Sequence, residues 1–111
     1  MDNGILTKSG GWDRSSGEIS PGIATEIKQT FDNVDHNIKN ARGRGWSEVY
    51  KVTSYHVKPN PEALGLFVDN MMAFCPDHSP CWTAIGADRL GRDDMRIEID
   101  VAAHSPKQSE L

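Results

Sequence analysis

Residues 95–102 read MRIEIDVA and carry the clearest secondary-structure signal in the sequence. Apolar and charged side chains alternate along it: the apolar set is Met95, Ile97, Ile99 and Val101, and the charged set is Arg96, Glu98 and Asp100. Because successive side chains of a strand point to opposite faces, the pattern predicts a strand with one apolar and one charged face. The apolar face is expected to meet helices, and the charged face to meet solvent or a partner.

Two helices are predicted upstream from apolar stripes at helical spacing. The first stripe is Ile23, Ile27, Phe31, Val34, Ile38 and Ala41, and the second is Leu64, Phe67, Val68, Met71 and Phe74. Ser20 and Asn60 are predicted as N-caps, each followed by a proline that suits the first helical turn. Gly43 and Gly45 are expected to end the first helix, and Pro76 the second.

Two further strands are predicted over residues 48–57, rich in Val, Thr and Tyr, and over residues 82–87. Such runs, bounded by Pro or Gly, are typical of strands. The order of elements predicts an α+β domain in which two helices pack on one face of a mixed sheet. The other face of that sheet is left uncovered in a single chain.

The composition bounds the class of protein. A chain of 111 residues forms one domain with a modest core, and so small a domain gains stability from oligomerisation. The formal net charge of -4 argues against a nucleic-acid partner, because binding phosphates requires a basic surface. No apolar run has membrane-spanning length and no secretory pattern opens the chain, so we expect no membrane attachment and a cytoplasmic location, with a mitochondrial or peroxisomal one left open.

The densest group of potential metal ligands is Cys75, Asp77, His78 and Cys81. Two cysteines and a histidine are natural zinc ligands. Four ligands this close in sequence, in a loop stiffened by two prolines, are hard to arrange as a tetrahedron. We therefore expect no metal site.

Glu98 and Asp100 are the charged residues of most interest, because they project from the same face of the last predicted strand. One interpretation is a solvated charged face. The other is that a partner subunit covers this face, in which case a sheltered carboxylate can hold or activate water. Tyr55 and His56 lie near the end of a strand, where clefts often form, although a structural role is favoured for His56.

Several short strings then coincide with one family. They are Ser9-Gly10, Gly17-Glu18-Ile19, the helix residues Gln29, Phe31, Asn33 and Ile38, the strand VYKVTSY at 49–55 and the string IEIDVAA at 97–103. With these strings in this order, the sequence resembles the RidA/YjgF family over residues 9–104. Residues 1–8 do not reproduce the family's first strand and are interpreted as a divergent N-terminal segment, and residues 105–111 as a flexible tail.

The resemblance implies a chorismate-mutase-like fold and a homotrimer with a small-molecule cleft at each subunit interface. Members of the family hydrolyse reactive imines or enamines to a keto acid and ammonia, without a metal or cofactor. The leading prediction is therefore a RidA-like enzyme acting on an imine, an enamine or another carbonyl-derived metabolite, with no cofactor. The alternative is a trimer that binds a metabolite or partner without catalysis. RNA cleavage is a third hypothesis, and it rests only on the endoribonuclease label that the family carries.

The resemblance also implies site residues. Asp100 matches the family's acidic residue and is predicted to be the catalytic base that positions water. Deaminating members carry an Arg two residues after the proline that precedes a strand; here Trp82 follows Pro80 at that distance, and a neutral indole cannot clamp a carboxylate. The predicted substrate-binding residues are Trp82, Thr83, Cys81, Tyr55, Glu98 and Gly10.

Overall fold

The computed structural model describes residues 2–106, and in this range the chain forms four strands, two α-helices and one turn of 3-10 helix. In chain order the elements are β1 (Asp2–Gly10), α1 (Ile23–Asn40), the 3-10 turn (Trp46–Glu48), β2 (Val49–Val57), α2 (Pro61–Phe74), β3 (Cys81–Ala87) and β4 (Ile97–Pro106). The strands form one sheet in the order β1-β4-β2-β3. β4 is antiparallel to both of its neighbours, and β2 and β3 are parallel, so the predicted mixed α+β fold is confirmed.

The prediction that residues 1–8 lack the family's first strand is wrong. β1 pairs with β4 over its whole length, from Asp2 opposite Pro106 to Gly10 opposite Glu98. The apolar signal of this strand is weak: Ile5 is buried but Leu6 is exposed, and the pairing with β4 decides the conformation of the strand. β4 in turn runs to Pro106, so the tail predicted from residue 105 starts inside the strand, and residues 107–111 lie outside the described range.

The start of α1 also differs from the prediction. The Ser20 hydroxyl accepts a hydrogen bond from the Gly22 N–H (3.1 Å) in a local turn, and the helix begins only at Ile23. Serine side chains often compete with helix initiation in this way. At the other end, Arg42 takes the left-handed conformation (φ 72°), and the Gly43 N–H reaches back to the Ile38 carbonyl (2.8 Å). The helix therefore ends before Gly43.

The start of α2 is as predicted. The Asn60 side chain accepts a hydrogen bond from the Ala63 N–H (2.8 Å), and Pro61 is the first helical residue. An aspartate or asparagine cap of this kind satisfies a backbone donor that the helix itself cannot. The cap fixes the direction in which the chain leaves β2.

The core lies between the helices and one face of the sheet, and aromatic rings fill its centre. Phe31 of α1 stacks on Trp46, with 4.8 Å between ring centroids, and contacts Phe67 and Phe74 of α2. The Trp46 indole N–H donates to the Phe31 carbonyl (2.9 Å), so this large ring is buried without an unsatisfied donor. The apolar side chains of β4 complete the core, as the alternating pattern predicts: Ile97, Ile99 and Val101 are all buried.

Arg96 does not lie with Glu98 and Asp100, which corrects the alternation assumed from the sequence. It precedes β4, and its Nε donates to Glu26 Oε1 (2.7 Å) while its backbone N–H donates to Glu26 Oε2 (2.8 Å). Glu26 is fully buried in the first turn of α1. Its carboxylate would be costly to bury without these partners, which explains why Arg96 turns to the helix side.

We predict that Glu26→Ala lowers the free energy of unfolding by about 3 kcal/mol, because it leaves Arg96 and a backbone N–H without their acceptor. Urea unfolding at a fixed protein concentration measures the loss. The matched control is Glu62→Ala, which removes an exposed first-turn carboxylate from α2 and is expected to cost less than about 1 kcal/mol. Equal losses in the two variants would show that the pair adds nothing beyond a helix-terminal charge.

Candidate functional site

The face of the sheet that points away from the helices, here called the open face, gathers most of the predicted site residues. Two rows of cross-strand neighbours run over it. The first row is Lys8, Asp100, Thr53 and Thr83, and the second is Gly10, Glu98, Tyr55 and Ile85. Cys81 lies beside Thr83 on the same face of β3, since the two are separated by one residue.

Asp100 occupies the polar row of the open face. It is exposed and lies directly opposite Lys8 on one side and Thr53 on the other, where side chains of paired residues are about 5 Å apart. Glu98 is half-buried and has Tyr55 as its neighbour. A carboxylate bordered by an ammonium and hydroxyl groups can hold a water molecule through several hydrogen bonds.

Gly10 has a packing reason to be glycine. A Cβ on this residue would lie 2.5 Å from the Met95 Cε atom and 2.7 Å from the Trp12 ring. The Gly10 carbonyl is held by Asn33, whose Nδ2 donates to it (2.9 Å) and to the Trp12 carbonyl (2.8 Å). The role of Gly10 in substrate binding stays a prediction, because these contacts already require its small size.

Trp82 lies on the other face of β3 from Thr83. It is opposite Val52, and its indole stacks on Phe67 of α2 with 5.0 Å between centroids and 15° between planes. It remains 37% exposed, because β3 is an edge strand. Trp82 and Asp100 therefore do not share a face within one chain. The sequence could have indicated this, because alternation along residues 81–83 places Trp82 on the opposite face from its two neighbours.

Trp82 begins a short chain of buried hydrogen bonds. Its Nε1–H donates to the Ser54 Oγ atom (2.8 Å), and that oxygen lies 2.7 Å from His56 Nε2. The indole is only a donor, and the buried Ser54 hydroxyl has no other acceptor among the described residues. The hydroxyl proton thus points to His56 Nε2, which places the imidazole proton on Nδ1. Burial lowers the pKa of His56 from its ordinary value of 6.5, which agrees with a neutral ring.

Of the four residues considered as zinc ligands, Cys75 and His78 are engaged elsewhere. Cys75 is buried, which raises the pKa of its thiol to about 11, and its Sγ lies 3.8 Å from the Trp46 carbonyl. His78 Nε2 donates to the Val49 carbonyl at 2.8 Å. Cys81 is exposed on β3. Within residues 2–106, no three His, Cys, Asp or Glu side chains are arranged to hold a metal ion.

A cleft that the sequence analysis missed opens on the helix side of the sheet. Its volume is about 390 Å³, and it lies where β2 ends, α2 starts and the chain enters β4. Its polar lining residues include His56, Lys58, Asn60 and Arg96. The sequence offered one indication of this cleft, because His56 and Lys58 flank the end of a predicted strand. The strand pattern alone does not predict that Arg96 lies beside them.

Comparison with known proteins identifies the family. A family model described as Endoribonuclease L-PSP matches residues 1–105. The RutC family protein YjgH of Escherichia coli K12 is 30% identical over 95 residues, which cover 86% of this chain and 70% of that protein. The chain belongs to the RidA/YjgF family. Because the match includes residues 1–8, the first strand is part of the family domain.

Solved structures show the same fold at lower identity. RidA from an Antarctic Psychrobacter species superposes with a TM-score of 0.81 at 17% identity, covering 92% of this chain and 80% of that one. The YjgF gene product of E. coli gives a TM-score of 0.78 at 21% identity, covering 91% of this chain and 80% of that one.

In the part of the chain that is described, neither helix is long and apolar enough to cross a membrane.

We predict that His56 makes the stability of the protein depend on pH. The folded-state pKa of His56 lies below 6.5, so as the pH falls the unfolded chain binds a proton at this residue before the folded chain does. The contribution of His56 to the free energy of unfolding is therefore fully present above pH 6.5 and is lost as the pH drops below that value. The slope from one such group is at most about 1.4 kcal/mol per pH unit.

Urea unfolding between pH 7.5 and 5 measures this slope. His56→Gln, which has no proton to gain, is expected to give a flatter profile, whereas His36→Gln, which changes an exposed residue of α1, should keep the wild-type slope. An unchanged slope in His56→Gln would assign the pH dependence to other groups.

Proposed function

We propose that the protein is a cofactor-independent hydrolase that converts reactive imines or enamines, or related carbonyl-derived metabolites, to a carbonyl compound and ammonia. The observation that carries the proposal is the row formed by Lys8, Asp100, Thr53 and Thr83 on the open face. Membership of the RidA/YjgF family supports the same chemistry.

In the proposed reaction, Asp100 acts on a water molecule held between its carboxylate and the neighbouring threonine hydroxyls. The carboxylate takes a proton from the water as the oxygen adds to the imine carbon. The resulting carbinolamine collapses to a carbonyl group, and the nitrogen leaves as ammonia after receiving a proton. The sum is one imine and one water giving one carbonyl compound and one ammonia.

The proposed substrate class rests on Trp82, which does not share a face with Asp100 within one chain and would reach the Asp100 row from a neighbouring copy. A charge-assisted clamp would require a cation where this chain places an indole that already donates its N–H to Ser54. The exposed part of the ring offers an apolar surface. We therefore propose substrates whose recognition does not depend on a carboxylate.

The site is proposed to be completed by neighbouring copies in a homotrimer. Leu6 is 82% exposed and Ile85 is 41% exposed on the open face, and β3 presents an unpaired strand edge. Exposed apolar residues beside an open edge are typical of an interface, because an uncovered edge invites association. Small-molecule clefts between subunits would then shelter the Asp100 row from bulk water.

We predict a trimer in solution, seen by light scattering coupled to gel filtration as three times the 12.3 kDa chain mass. Ile85→Lys is expected to dissociate it, because the charge would be buried against a neighbour. Val68→Lys is the matched control, since it places the same charge on a similarly exposed position of α2 (38%). A monomeric wild-type chain at micromolar concentration would contradict the proposed cleft.

The activity is tested with imines generated in place by two oxidases. An amine oxidase supplies uncharged imines, an amino-acid oxidase supplies imines with a carboxylate, and the release of ammonia is compared with the spontaneous rate. We predict acceleration mainly of the uncharged imines. Asp100→Asn should lower it by about two to four orders of magnitude, the scale of losing a general base.

The control for this variant is Asp77→Asn, which changes an exposed carboxylate in the loop before β3. It is expected to leave the rate unchanged. If a trimeric wild-type protein accelerates neither class of imine, the chain binds its ligand without this chemistry. If Asp100→Asn retains full activity, another group holds the water.

A further inference from the structure

We propose that the cleft at the end of β2 is a binding site for a small carboxylate with an apolar body, formed within a single chain. The cleft has a volume of about 390 Å³, which falls in the range of small-molecule sites. It lies on the helix side of the sheet, whereas the Asp100 row lies on the open face. The proposal does not depend on the proposed hydrolysis.

The base of the cleft carries a hydrogen-bond donor. His56 is 4% exposed and lines the cleft, and its Nε2 is occupied by Ser54. The hydrogen-bond chain from Trp82 places the ring proton on Nδ1, which has no partner among the described residues. Since no fully buried side-chain nitrogen or oxygen in that range lacks a partner, Nδ1 is accessible, and the cleft is what it borders.

Two cations border the same space. Lys58, with a left-handed backbone (φ 50°), is exposed and forms no ion pair with any described residue. The Nε of Arg96 donates to Glu26, which offsets the charge of the guanidinium, and its Nη2 donates to the carbonyls of Ser20 and Pro21. Its Nη1 has no partner among the described residues and keeps its donors for a ligand. A ligand with acceptor oxygens and negative charge complements this set.

The remaining walls define the rest of the ligand. Ile23, Ile27 and Ile97 supply apolar surface, and the first turn of α2 at Ala63 adds the positive end of a helix dipole. Asp93 is the one acidic residue of the lining, and it is paired with Arg89 at 2.6 Å, which offsets its charge. A carboxylate at the polar end with a branched or aromatic body at the apolar end fits both halves.

The test is titration of the ¹⁵N-labelled protein with phenylacetate, followed by NMR. We expect saturable shifts of the His56 ring nitrogens and of the backbone amides of Lys58, Asn60, Glu62 and Ala63. Phenylacetamide, which has the same shape without the charge, is expected to cause none at the same concentration. Shifts that do not saturate, that are equal for the two compounds, or that centre on Thr83 and Asp100 would overturn the proposal.

The variant that decides the role of the cation is Lys58→Asn, because asparagine tolerates the left-handed backbone and lacks the charge. It should weaken binding about tenfold, the effect of losing one charge-assisted contact. Lys58→Arg should retain binding, and Lys28→Asn, which removes an exposed cation of α1 that pairs with Asp32, should not change it. Equal affinity of Lys58→Asn and the wild-type chain would overturn the assignment.

Discussion

The buried carboxylate of Glu26 joins the first turn of α1 to the start of β4. It accepts hydrogen bonds from both the side chain and the backbone of Arg96, and Arg96 in turn holds the carbonyls of residues that precede α1. The first turn of the helix is thereby tied to the entry of β4. β4 begins directly after this contact, and the alternation of its side chains then places Ile97 and Ile99 in the core and Asp100 on the open face.

The open face and the cleft on the helix side of the sheet differ in their chemistry. On the open face, the carboxylates of β4 lie beside hydroxyl groups of β2, and one row continues to Lys8 of β1 and Thr83 of β3, an arrangement suited to holding water. On the helix side, the cleft near His56 presents mainly donors and cations. The chain from Trp82 through Ser54 to His56 crosses the helix-facing side of β3 and β2, and it fixes which nitrogen of the imidazole carries a proton.

Much of the fold could be predicted from local signals, because those signals were strong where burial was strong. The alternation along β4 and the cap at Asn60 describe what the structure contains. β1 could not be predicted, since its polar residues form a strand only through pairing with β4. The site was harder to predict. The family resemblance named Asp100 and Thr83 together, but the cleft depends on Arg96 turning away from its strand pattern, which only the distant Glu26 explains.

The place of β4 in the sheet has a consequence for how the chain folds during synthesis. β4 is synthesised after β1, β2 and β3, yet it is the strand that joins β1 to β2 in the sheet. Until it emerges, β1 has no neighbour to pair with, and only the β2-α2-β3 unit can form its own strand contacts. Pairing the first strand with the last also gives contacts of large sequence separation, which slow folding. The nascent chain therefore exposes the edges of β1 and β2 until β4 has been synthesised, and unpaired strand edges favour aggregation during that time.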